Sequence, residues 1–397
     1  MTLEQMQQHL GICQIPACFT DLYAQIADTY EDHAAQILSS RYISETLTAC
    51  YALEPYRDTI LMAAEQVRQN KAMCLLVCLL EQWVRCGGNV SDATYETPIG
   101  EGLAYDFLHL FPVIPTMPES VAYLRRRGVP EDVVAATLKE YDYCVDMLNT
   151  RMGRPAFDCG RLNWICRLVR NAFIRIGRFK YDLPGNYLKG VRVYRNASGE
   201  SIVLADNLQI HRSGRILGSV GHADEEGSFL AEIQDTENTI TGHRATGGIV
   251  EKEQTTLLKK EWTLCLSEAD ACVKIHIPSE GSFDRETVSA SFERAREILA
   301  NYYPDYPYKA FFCSSWLMSP DLRKILKPTS NILAFQDWFT GIPFRSSGKL
   351  VFSFAFQMAP AIPEDLTALP ENTSLQRAVK ELYLNGGYVH EGAGYFF

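Results

Sequence analysis

Apolar and polar residues alternate from Ala271 to Pro278, with Val273, Ile275 and Ile277 set against Lys274 and His276. That is the period of a strand with one buried face. A polar loop, Ser279 to Asp284, leads into a stretch where Val288, Phe292, Ala295 and Leu299 are spaced four, three and four apart. Such spacing puts all of them on one helix face. Asp284 is placed to cap that helix, and Pro304 closes the unit beyond Asn301. A second strand follows at Tyr308 to Cys313, and Ser319-Pro320 starts a short helix that carries Leu322, Ile325 and Leu326 and ends at Pro328. The apolar runs 331–339 and 349–357 read as two further strands, the latter because Phe352, Phe354 and Phe356 alternate. Thr373 or Ser374 caps a last helix, with Leu375, Val379 and Leu382 on one face and Gly386-Gly387 as its stop.

The first 150 residues show helical periods almost throughout. Leu22, Ile26, Tyr30 and Ile37 fit one helix, and Ser44 can cap a second. From Ile60 to Val84 one or two helices follow, nearly all apolar in the second half, which implies burial on most sides. Cys74 and Cys78 lie at metal-ligand spacing, but their neighbours Leu75, Leu76, Val77 and Leu79 favour core thiols. Cys86-Gly87-Gly88-Asn89 ends that helix, and Pro130-Glu131-Asp132 starts another. Between Gly190 and Ala205 the pattern is a β-hairpin turning at Asn196 to Gly199, and 208–262 reads as strands and long loops. His211, His222 and His243 fall in the latter region, where solvated loop histidines are the plain expectation.

Composition narrows the function. A net charge of -10 over 397 residues disfavours phosphate backbones, so no nucleic-acid partner is expected. Within this acidic chain, 151–180 holds eight Arg or Lys and one acid, Asp158. Arginines on a solvated face or paired with acids account for it; a cationic rim for a phosphorylated ligand is the sharper alternative. The longest apolar run, Ala72 to Leu80, is too short to span a bilayer, so no membrane is expected. No secretory signal is apparent, and twelve cysteines without a CxxC pair suit a reducing, cytoplasmic setting with no metal.

No GxSxG elbow, P-loop, GxGxxG or HExxH occurs. The order strand, loop, long helix, strand resembles the GNAT superfamily of acyl-CoA N-acyltransferases. Specific wording narrows the resemblance: WIC with FIRIGRFKY, then KIHIPSEG, FFCSSWLMSP, PTSNILAFQDWF and NTSLQRAV. Over nearly the whole chain these are similar to a family of bacterial acyltransferase-domain proteins. That family has a helical N-acyltransferase N-terminal domain and a GNAT-like C-terminal domain. The resemblance implies an α+β chain: a helical N-terminal domain at 1–150, then a GNAT-like mixed-sheet α/β acyltransferase domain at 151–397. It also implies acyl-CoA or acetyl-CoA as cosubstrate and a small-molecule amine or peptide as acceptor. A non-catalytic GNAT-like module that binds a small molecule or protein partner is the alternative.

In that fold the strands before and after the long helix splay apart and pantetheine lies between them. The pyrophosphate sits on amides of the helix N-terminus, here Gly281, Ser282 and Phe283. The sequence departs from the superfamily's Gln/Arg-x-x-Gly-x-Gly/Ala motif, with one glycine, Gly281, and two acids, Glu280 and Asp284, near it. Two look-alikes, Arg215 to Gly218 and Arg244 to Gly247, do not precede a helix. Aminolysis of a thioester needs a base, an oxyanion donor and an acid for the thiolate. His276 is the expected base, with Glu280 behind it. The amide near Ile277 is the oxyanion donor, and Cys313, Ser314 or Ser315 the acid. Cysteine nucleophile chemistry at Cys313 is the weakest option. Trp316, Asn331 and Gln336 are candidate substrate walls, each with a packing or strand-end alternative.

Overall fold

The computed structural model describes residues 1–88 and 95–397, so Asn89 of the expected helix stop lies outside the described residues. The chain divides into two compact units, Met1–Ile176 and Gly177–Phe397.

The first unit is helical: α1 (Leu3–Leu10), α2 (Phe19–Ile26), α3 (Tyr30–Ile37), α4 (Ser40–Ala49), α5 (Arg57–Arg68), α6 (Lys71–Arg85), α7 (Leu103–Phe107), α8 (Met117–Arg126), α9 (Glu131–Leu138), α10 (Glu140–Met152) and α11 (Cys159–Val169), closed by strand β1 (Phe173–Ile176). Its centre is α6, buried from Ala72 to Glu81 and started by Asn70, whose side chain accepts from the amides of Ala72 and Met73. Cys74 and Cys78 donate to the carbonyls of Val67 (3.4 Å) and Tyr30 (3.6 Å), as core thiols do. Two expectations fail in detail. The run Leu22 to Ile37 breaks into α2 and α3, and the cap of α4 is Ser39, which accepts from the Tyr42 amide, not Ser44. The basic stretch keeps its plain reading: Arg154 pairs with Asp106 at 3.0 Å, and Arg170 donates to the Gly87 carbonyl at 2.8 Å.

The second unit holds two larger sheets and a two-stranded one. The strands are β2 (Phe179–Gly185), β3 (Val191–Asn196), β4 (Ser201–Ala205), β5 (Leu208–Ile210), β6 (Phe229–Ala231), β7 (Gln234–Asp235), β8 (Thr239–Thr246), β9 (Ile249–Leu258), β10 (Trp262–Leu266), β11 (Cys272–His276), β12 (Ala310–Ser315), β13 (Thr340–Ile342) and β14 (Gly392–Phe396). In one larger sheet β2, β11, β12, β14 and β13 lie side by side in that order; in the other the order is β10-β3-β4-β8-β7, with β9 on β8; the two-stranded sheet is β5-β6. Between the larger sheets lies a core of Val191, Val193 and Val203 against Cys272, Ala310, Phe312, Ala393 and Tyr395. The opposite face of the first sheet packs on the long helix α12 (Arg285–Tyr302). Its Phe292 ring stands 4.8 Å from Phe396 and 5.2 Å from Phe179. Strands β11 and β12 run parallel, paired from Cys272/Ala310 to Ile275/Cys313, with α12 as the crossover between them.

The expected helices after β12 are present as α13 (Leu322–Ile325) and, further on, α16 (Ser374–Leu384), capped by Thr373. The two runs read as strands are helices instead: α14 (Asn331–Gln336) and α15 (Leu350–Ala355). Short apolar runs carry no decisive period, so the caps decide. Ser330 accepts from the Ile332 amide at 3.2 Å. At α15 the cap is remote: the Glu391 carboxylate accepts from the amides of Ser347, Gly348, Lys349 and Leu350 at 2.7 to 3.0 Å. The sheet positions left by those runs are taken partly by the glycine-rich tail. As β14 it lies between β12 and β13, and a Cβ at Gly392 would sit 2.2 Å from the Met318 carbonyl oxygen.

Candidate active site

His276 is the last residue of β11 and lies just past the end of the β11–β12 pairing. Alternation puts it on the face toward the second sheet, with Lys274. Antiparallel register sets Lys180 opposite His276 and Asp182 opposite Lys274. The Asp182 carboxylate, on a side chain 3 % exposed, lies 2.9 Å from His276 Nε2. A carboxylate only accepts, so Nε2 carries the hydrogen and the ring is fixed in orientation. Lys180 is buried too, which concentrates charge on this face, while Arg178, just before β2, is buried against Phe179 and Phe283. Sequence reasoning named His276 but missed Asp182, Lys180 and Arg178. Charged residues alternating inside FKYDLPG were the available signal.

The loop from Ile277 to Asp284 is held from beneath. Arg178 Nη2 donates to the Pro278 carbonyl at 2.8 Å, and its guanidinium lies 5.3 Å from the Phe283 ring centre. Gly281 sits at φ +86, a backbone state only glycine adopts without strain. Glu280, Gly281 and Ser282 are exposed, while the Phe283 ring packs on Phe335 at 5.0 Å. Asp284 caps α12 as expected, accepting from the Thr287 amide and hydroxyl at 2.8 Å each and from the Ser282 hydroxyl. Those bonds, the Ser282 hydroxyl first, hold its carboxyl far below the usual range. The first turn of α12 therefore already bears a carboxylate.

The other expected site residues scatter. Cys313 is buried on the α12 face of β12, opposite to His276, and burial pushes its thiol up to about 12. Ser314 shares the His276 face, while the Ser315 hydroxyl accepts from the Leu317 amide at 3.2 Å. Trp316 belongs to a core with Leu322, Val351 and Phe352. Asn331 is exposed at the start of α14. Gln336 is buried and clamps the carbonyls of Leu317 and Ser319 at 2.8 and 2.9 Å.

A cavity of about 150 Å³ opens beside β13 and β14. Phe339, Ile342 and Ala393 supply apolar wall; Arg215, Arg323 and Gln336 supply polar groups. Behind Arg215 lies a buried network. Asp321 takes Arg215 Nη2 at 3.1 and 3.2 Å and His390 Nδ1 at 2.7 Å. Burial opposes the charge of Asp321, but the His390 bond and Arg215 outweigh it and hold the carboxyl well below its ordinary range. His390 stacks on His222 at 5.3 Å, and His222 lies 4.8 Å from His211. His211 and His243 are thus buried and bonded, not solvated. None of this network was legible, because its members lie up to 179 residues apart in sequence, from His211 to His390.

The comparisons agree with the fold. The family described as GNAT-like C-terminal domain matches residues 173–396, and the chain belongs to that family. Two solved structures cover 100 % of this chain and 99 % of their own at 16 % identity and a TM-score of 0.62. One is an acyltransferase in complex with decanoyl-CoA and teicoplanin; the other is an acyltransferase mutant in complex with octanoyl-CoA. A third, with CoA and 10C-teicoplanin, has a TM-score of 0.61 at the same identity. No curated protein sequence matches the chain.

Proposed function

We propose that the protein transfers an acyl group from acyl-CoA to an amine. The observation that carries this reading is the His276–Asp182 pair, placed where the β11–β12 pairing stops. Solved structures of the same fold hold acyl-CoA, which supports the choice of donor. In the reaction the amine nitrogen attacks the thioester carbonyl. Its proton passes to the ring nitrogen of His276 not bonded to Asp182. The amide of Ile277 stabilises the oxyanion, the C–S bond breaks, and the CoA thiolate leaves and takes the proton held by His276, with the Ser314 hydroxyl on the same face; Ser315, like Cys313, faces α12. Cys313 is a poor acid for this step, being on the wrong face and pushed up by burial. Asp182 is a positioning residue: it orients the base without touching substrate.

One feature favours the second reading, a binding module without turnover. The Asp284 carboxylate sits on the first turn of α12, where a pyrophosphate would otherwise be held. The loop amides of Gly281 to Phe283, with Arg178 beneath, would have to hold the anion despite it. Calorimetry with CoA, acetyl-CoA and decanoyl-CoA decides between them. Micromolar binding by the folded protein supports acyl transfer, and absence of binding supports the second reading.

A further inference from the structure

The cavity lies at the edge of the sheet that carries His276, with Ile342 and Ala393 on the His276 face and Phe339 on the α12 face. One residue beyond the last β11–β12 pair, Ile275/Cys313, His276 comes level with Ser314, which pairs with Ala393, and Ala393 pairs with Ile342. Neighbouring strands are about 4.8 Å apart, so Ala393 stands roughly 10 Å from His276. The cavity has the size of a small apolar group; a void of about 150 Å³ can hold a benzene ring.

Its polar groups are specific. Arg215 uses one nitrogen, Nη2, on both oxygens of Asp321, and its Nη1 and Nε have no partner among the described residues. Asp321 also takes Lys324 Nζ at 3.0 Å and His390, so one carboxylate serves several donors; Glu391, also on the cavity wall, is taken up by the amides at the start of α15. Gln336 is 6 % exposed. Both of its bonds are made by Nε2, which leaves Oε1 as an acceptor with no partner among the described residues. A guanidinium edge, a buried amide oxygen and an apolar wall together suit a carboxylate, a nearby N–H and a small apolar side chain.

We propose that this cavity receives the carboxyl-terminal residue of a short peptide acceptor. Arg215 holds the carboxylate, with Arg323 on the rim, where it also pairs with Asp337 at 2.6 Å, and Gln336 Oε1 accepts from the peptide N–H. The side chain rests against Phe339, Ile342 and Ala393. An extended chain spans about 3.4 Å per residue, so three residues match the roughly 10 Å between Ala393 and His276. The inference rests on the acyl-transfer reading for the role of the peptide, but not for its binding.

The test is titration of the folded protein, without CoA, with trialanine and with trialanine amide. The acid binds, and the amide binds at least tenfold more weakly. In Gln336→Leu both bind more weakly. In Arg215→Met the preference for the acid falls to less than twofold. Because Arg215→Met leaves Asp321 short of a partner, Arg323→Met on the exposed rim is the second variant, and it lowers the preference partway. Equal binding of acid and amide, or no binding of either to folded wild-type protein at millimolar concentration, overturns the proposal. Peptide binding with no CoA binding leaves the cavity's assignment standing and sinks acyl transfer instead.

Discussion

At the scale of single residues, the charge stripe on β2 and β11 separates groups that orient from groups that react. Asp182 accepts from His276 on a side chain 3 % exposed. Asp182→Asn should keep acyl-CoA affinity within about threefold and lower kcat by roughly 10- to 100-fold, since the amide no longer fixes the working tautomer. Its pH–rate profile should shift, which loss of packing alone would not produce. Steady-state kinetics across pH checks this, and an unchanged kcat refutes the positioning role. Cys313→Ala should leave kcat within about twofold, because a fully buried thiol pushed up to about 12 supplies no thiolate. A large loss of turnover in a variant that keeps its melting temperature would return Cys313 to the chemistry. His276 was legible because strand alternation set it at a strand end. Asp182 was not: its partner is 94 residues away, and register alone brings them together.

At the scale of elements, caps decided what periodicity left open. Helix α12 and its Asp284 cap were readable, since an 18-residue helix repeats its apolar face several times. Helices α14 and α15 have 6 residues each, too few for a period to show. For α15 the deciding group, Glu391, lies 41 residues beyond the amide of Leu350. Burial opposes its ionisation, but the Ser346 hydroxyl and the backbone amides prevail and lower its carboxyl. Glu391→Gln should cost about 2–4 kcal/mol, because amide hydrogens then face a row of N–H donors in a buried site. Chemical denaturation measures the cost. With its pKa lowered in the folded state, Glu391 adds stability above the unfolded value, and this is lost as pH falls through the folded one. A change under about 0.5 kcal/mol would mean that α15 does not depend on this cap. Strand β14 hid for another reason: Gly392 and Gly394 serve close packing against Met318 and Thr340, so the strand lacks the β-branched residues that mark one in sequence.

At the scale of the whole molecule, the helical unit and the sheet-built unit follow from the switch in period along the chain. Each can be probed by itself. In the first unit His109 is buried, and burial lowers its pKa from 6.5 to about 4. The sign is that of a base kept neutral by folding. Below pH 6.5 the unfolded chain takes a proton that the folded chain refuses until about pH 4. Stability therefore falls across that window by up to about 3 kcal/mol. His109→Gln should flatten the dependence of unfolding free energy on pH between 6.5 and 4, whatever it does to stability at neutral pH. Parallel curves for the two proteins would show that His109 is not held neutral. The candidate site, by contrast, needs contacts spread over most of the second unit: Lys180 and Asp182 near its start, His276 midway, and His390 and Glu391 near its end. Such a site is written in register and packing, not in a local motif.

Acyl transfer is tested most directly by measuring decanoyl-CoA binding and single-turnover deacylation on wild-type protein and His276→Ala in parallel, with an amine supplied. Micromolar binding by both proteins is predicted, with deacylation slowed at least about 100-fold in the variant. Weak binding by His276→Ala together with persistent turnover would contradict the role given to His276. No binding by the folded wild-type protein would contradict acyl transfer itself.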